Sequence, residues 1–89
     1  MKTPVKQFTY TIKRQPGIHA RPASLLAMLI KEYKDTTITV AKGEKLSNGE
    51  LLNLMSLDTR LGDEVIVTAD GFAEEAAIEA LKVFFQENL

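Results

Sequence analysis

The chain contains no cysteine and a single histidine. Without thiols there is no disulfide framework and no thiolate metal site. One imidazole cannot build a multi-ligand transition-metal centre, and the carboxylates show no calcium-loop pattern, so neither metal nor cofactor is expected. Charge of either sign is not in excess: 11 Lys and Arg face 12 Asp and Glu, for a formal net charge of -1. There is no basic stripe to meet a phosphate backbone, so nucleic acid is not an expected partner. No stretch approaches the roughly 20 apolar residues of a membrane span. The opening MKTPVKQFTY lacks the apolar run of a signal peptide. No membrane insertion and a cytoplasmic setting are the expectations. No Gly-x-x-x-x-Gly-Lys nucleotide loop, internal repeat or low-complexity linker is found.

What remains is an ordinary globular composition. Apolar residues make up 45% of the chain and charged residues 26%, a balance that argues against disorder. At 89 residues, positions 1–89 are expected to form one domain with a single core and a modest stability margin.

Periodicity divides the chain into seven elements. Phe8, Tyr10 and Ile12 alternate with Thr9 and Thr11, which predicts a half-buried strand. Lys13-Arg14-Gln15-Pro16-Gly17 is a turn signal. From Pro22 to Tyr33 the period becomes helical: Leu26, Leu29, Ile30 and Tyr33 form a stripe that Leu25 and Met28 widen. Pro22 is tolerated in the first turn. Thr36 to Ala41 is a second strand, Lys42-Gly43-Glu44 a tight turn, and Lys45 to Ser47 a short partner strand. Leu51 to Leu57 is a brief helix and Leu61-Gly62-Asp63 a turn. Glu64 to Ala69 is a β-branched strand. The last helix carries Ala77, Ile78, Leu81, Phe84 and Phe85 on one stripe, with Glu74 and Glu75 near its favourable N-terminal end. The order β-α-β-β-α-β-α predicts an α+β fold, a four-stranded sheet with helices on one face.

The stretch Gly17-Ile18-His19-Ala20-Arg21-Pro22-Ala23-Ser24 places a histidine just before a helix and an arginine two residues later. The first amides of a helix have no internal acceptors and, with the helix dipole, attract anions. Arg21 adds a planar fork suited to phosphate oxygens. A neutral imidazole there can act as a nucleophile towards a phosphoryl group, and the same amides and guanidinium can stabilise the transferring charge. The alternative is a small binding domain in which His19 merely caps the helix and Arg21 is a solvated surface residue.

These eight residues resemble the active-site signature of the HPr family, the histidine-containing phosphocarriers of the bacterial phosphoenolpyruvate:sugar phosphotransferase system. The resemblance extends over nearly the whole chain. Lys42-Gly43 resembles the turn after the second strand, Met55-Ser56-Leu57 the end of the short helix, and Asp70-Gly71 the turn before the last helix. It implies an open-faced β-sandwich: an antiparallel four-stranded sheet with three helices on one face. It also implies that His19 takes a phosphoryl group on Nδ1 from Enzyme I and passes it to IIA components, with Ala20 and Arg21 holding the group. Such a protein is a carrier rather than a stand-alone catalyst. By position, Ser24, Met28 and Lys31 of the first helix and Leu51, Leu52 and Met55 of the second would form the partner face. An HPr-like regulatory or nitrogen-branch carrier is the alternative within the family. The position of the regulatory serine found in many members falls on Glu50, so serine-linked regulation is expected to be absent there; Ser47 lies three residues early. Small size and transient partners suggest a monomer.

Overall fold

The computed structural model describes residues 6–15 and 17–89. Pro16, part of the predicted turn, and the first five residues of the chain lie outside them. The elements are β1 (Lys6–Thr11), α1 (Ala20–Lys31), β2 (Thr36–Lys42), β3 (Lys45–Ser47), α2 (Leu51–Ser56), β4 (Glu64–Gly71) and α3 (Glu74–Asn88). The strands form one sheet in the order β1-β4-β2-β3. Every neighbouring pair is antiparallel, with Phe8 opposite Val67, Val40 opposite Val67, and Val40 opposite Ser47. The longest strand, β4, is central, and hydrophobic alternation sets its register. Val65, Val67 and Ala69 are buried, while Glu64, Ile66 and Asp70 face outward.

The helices cover the face on which Ile38, Val40, Val65 and Val67 join Leu26, Leu54, Leu81 and Phe85 in one cluster. Phe85 of α3 is its centre. Its ring meets Phe8, Tyr10 and Phe84 in edge-to-face contacts, with centroids 5.7, 5.4 and 6.2 Å away. Such pairs add about 0.5–1.5 kcal/mol each beyond burial. No helix among the described residues is long and apolar enough to cross a membrane.

Two details of α1 differ from the periodicity. The helix starts at Ala20, two residues before Pro22. Ala20 and Arg21 are exposed, so they leave no trace in an apolar stripe, and a first-turn proline sacrifices no intrahelical bond. The buried stripe is Pro22, Ala23, Leu26 and Ala27. Leu25 and Met28, expected to widen it, are 43% and 63% exposed. Ala23, Leu26 and Ala27 occupy the core-facing positions, which leaves Leu25 and Met28 on the outward side.

The connection between α2 and β4 ties several elements together. Asp58 follows α2 with a φ of 54°, a left-handed residue that short polar side chains tolerate. Lys42, at the end of β2, donates through Nζ to the Asp58 carbonyl oxygen at 2.6 Å and pairs with Asp63 Oδ2 at 2.9 Å. The Arg60 amide donates to the same carboxylate oxygen at 2.9 Å. Beyond β1, Ile12 exchanges backbone hydrogen bonds with this connection: its amide donates to the Asp63 carbonyl and its carbonyl accepts from Gly62, both at 2.8 Å.

Two stability outcomes follow from this packing. Leu26→Ala, at a fully buried position, is expected to cost about 2–5 kcal/mol in urea unfolding, whereas Leu52→Ala, at a position 78% exposed, stays within about 0.5 kcal/mol of the parent. The hydrogen bond from Lys42, and secondarily that from the Arg60 amide, hold the Asp63 carboxyl below its ordinary value of 3.8. A depressed folded-state value stabilises the fold above the unfolded-state value, and that contribution disappears as pH falls through the folded-state one. Asp63→Asn is therefore expected to lower the urea midpoint near neutral pH, with the gap to wild type closing as the pH falls below the ordinary carboxylate value.

Candidate functional site

His19 is the residue immediately before α1, with extended backbone angles of φ −125° and ψ −172°. Its carbonyl oxygen accepts the Ala23 amide at 2.8 Å, the first hydrogen bond of the helix. The imidazole makes no capping hydrogen bond, and the residue is exposed. A histidine that capped the helix would place its ring nitrogen on the Arg21 or Pro22 position, and Pro22 has no amide hydrogen to offer.

The same proline simplifies the helix end. Four amide positions there lack an intrahelical acceptor. Pro22 removes one, which leaves the amides of His19, Ala20 and Arg21. Among the described residues none of these three donates to a protein acceptor. Arg21 is exposed and forms no ion pair among the described residues. No acidic residue lies in the first turn of α1 to oppose an anion. Among the described residues, an exposed imidazole, three amides without an acceptor and a guanidinium without an ion pair thus fall within three consecutive residues. This arrangement can hold an oxyanion beside a nucleophilic nitrogen.

On the N-terminal side, the loop is held from below. Ile18 is buried, and its amide donates to Thr59 Oγ1 at 2.7 Å. Gly17 has a φ of 81°, and a Cβ there would fall 2.5 Å from the Thr59 carbonyl oxygen. Only glycine fits both the left-handed conformation and that contact. On the other side, Pro22 and Ala23 are buried in the core. His19, Ala20 and Arg21 form the exposed crest between two buried pairs. Thr59 escaped sequence analysis because a threonine in a polar turn carries no periodic signal, and the contact spans 41 residues.

The remaining candidates lie along α1 and α2, which pack against each other. Ser24, Met28 and Lys31 are exposed on α1, and Leu51, Leu52 and Met55 are exposed on α2. Lys31 is in the last turn, about 16 Å along the axis from Ala20 at 1.5 Å per residue, so it borders the crest only distantly. Leu54 is the buried residue of α2. Gly49 brings the chain against α1: a Cβ there would lie 2.8 Å from Ile30 Cγ2.

Glu50 immediately precedes α2 and makes no side-chain cap onto it. Its carboxylate accepts from Asn48 Nδ2 at 3.1 Å, and its amide donates to Asn48 Oδ1 at 3.2 Å. Ser47 is buried, with its hydroxyl oxygen accepting the Gly49 amide at 3.1 Å. Its hydroxyl therefore belongs to the turn rather than to the surface.

Known phosphocarriers resemble this chain over most of its length. The family model described as the PTS HPr component phosphorylation site matches residues 6–87. The phosphocarrier protein HPr of Mycoplasma genitalium is 40% identical over 85 residues, covering 94% of this chain and 97% of that protein. The phosphocarrier protein NPr of Shewanella violacea is 38% identical over 72 residues, covering 80% of this chain and 78% of that protein. A solved histidine-containing phosphocarrier protein of Mycoplasma superposes with a TM-score of 0.85 at 34% identity, covering 89% of this chain and 90% of the other. The chain belongs to the HPr family, the phosphocarriers of the phosphotransferase system.

Proposed function

We propose that His19 is the residue that carries the phosphoryl group, taking it from Enzyme I and delivering it to IIA components in sugar uptake, and that positions 1–89 act as one domain. The observation that carries this reading is the uncapped, exposed imidazole of His19, followed by Ala20 and Arg21, whose amides have no acceptor and whose guanidinium has no ion pair among the described residues. In the first transfer a ring nitrogen, Nδ1 by the family resemblance, attacks phosphorus. The new N–P bond forms as the bond between phosphorus and the donor breaks. The acceptor then repeats this step in the other direction. The three phosphoryl oxygens keep their charge throughout, and the helix amides and Arg21 are the groups available to meet it.

Met28, Leu51, Leu52 and Met55 support a partner face, since exposed apolar and thioether side chains adapt to several surfaces in turn. Ser24 and Lys31 border it on α1. Glu50 at the regulatory-serine position supports the absence of serine-linked control there. The likeness to NPr favours a second reading, in which the acceptor belongs to a nitrogen-type branch of the system. A cytoplasmic monomer suits either branch.

Incubation with phosphoenolpyruvate and cognate Enzyme I is expected to place an acid-labile phosphoryl group on the wild type and none on His19→Ala. An unlabelled wild type with active Enzyme I would refute the carrier role. Arg21→Ala is expected to remain folded and to transfer about 100-fold more slowly. Sugar-specific and nitrogen-type IIA proteins offered to the labelled protein distinguish the branches by which one discharges it faster.

A further inference from the structure

We infer that Thr59, 40 residues beyond His19 in the chain, is the positioning residue of the phosphoryl-transfer site, and that its hydroxyl sets where the imidazole stands. This rests on the carrier reading of His19. Thr59 is 3% exposed and lies on the connection between α2 and β4. It touches no reacting atom. It acts through Ile18, whose amide it accepts at 2.7 Å, one residue before the histidine.

The two flanks of His19 are held in different ways. On the C-terminal side the restraint is redundant: the His19 carbonyl accepts the Ala23 amide at 2.8 Å, and Pro22 and Ala23 are packed in the core. On the N-terminal side the Ile18 amide is buried with Thr59 Oγ1 as its acceptor, and the backbone at Gly17 lies directly against the Thr59 carbonyl. Removing the hydroxyl while keeping the side-chain shape leaves a buried amide without a partner. The segment relieves that penalty by swinging Ile18 towards water, and His19 follows because its own backbone is extended. Phosphoryl transfer is sensitive to such a shift: reacting atoms must sit about 3–3.5 Å apart and aligned, and a displacement of about 1 Å costs on the order of 100-fold in rate.

Thr59 is itself well placed to resist movement. Its neighbour Asp58 is pinned through its carbonyl by Lys42, and Arg60 is held by Asp63. The hydroxyl therefore refers the histidine to the ends of β1 and β2 rather than to a mobile loop.

The test compares wild type, Thr59→Val and Thr59→Ser in transfer from phosphoenolpyruvate-charged Enzyme I, together with amide exchange at Ile18. The Ile18 amide of the wild type is expected to exchange slowly. Thr59→Val is expected to lose that protection and to reduce the maximal transfer rate about 10-fold or more, with the apparent KM for this protein within about twofold of wild type. Thr59→Ser, which restores the hydroxyl, is expected to recover most of the rate even where its thermal stability falls as far as that of the valine variant. A valine variant that transfers at the wild-type maximal rate would overturn the inference while leaving the carrier role intact. So would a wild-type Ile18 amide that exchanges as fast as an open loop, a result that decides the matter even if Thr59→Val does not fold. A wild type that takes no label overturns the carrier role and this inference with it.

Discussion

The amide of Ile18 lies beneath the surface, and the fold has to supply it with an acceptor. The Thr59 hydroxyl does so at 2.7 Å, and much of the local architecture serves that contact. Gly17 must be glycine because the Thr59 carbonyl occupies the space a side chain would take. Asp58, the residue before Thr59, adopts a left-handed conformation with a φ of 54°. Lys42 then holds that turn through one carbonyl and one carboxylate. An unmade buried hydrogen bond costs about 1–3 kcal/mol, a large share of the stability of a domain this small.

The consequence is a candidate nucleophile that is exposed between buried neighbours. His19, Ala20 and Arg21 stand out from the surface while their neighbours on both sides are buried. Exposure suits a group that must meet a donor and an acceptor in succession. Rigidity suits a reaction in which the protein contributes mainly position and charge rather than covalent chemistry. The proline at position 22 contributes to both. It seats the helix start in the core and removes a donor that would otherwise invite the imidazole to cap.

The apolar surface beside this crest follows from the way α1 packs. Its narrow buried face is built on Ala23, Leu26 and Ala27, and Leu25 and Met28 lie on the side turned to solvent. The short α2 buries Leu54 and leaves Leu51, Leu52 and Met55 outside. A helix of 6 residues has too little length to bury more than one side. Exposed apolar residues of this kind are costly to a protein that remains alone and useful to one that docks repeatedly.

Much of this was legible in the amino-acid sequence. The alternation of Phe8, Tyr10 and Ile12, the β-branched run in β4 and the stripe of α3 determined the element order. These are local patterns, set by periods of two and 3.6 residues. Gly17 to Ser24 likewise marked the candidate site, because a turn, a histidine, an arginine and a helix start are neighbours in the chain. The strand order β1-β4-β2-β3 was decided only in three dimensions, as was the outward rotation of Met28, because both depend on which surfaces meet. The support beneath His19 belongs to the same class. Thr59 and Ile18 are 41 residues apart, and no local pattern can mark a hydrogen bond whose two partners meet only after the sheet and helices have packed.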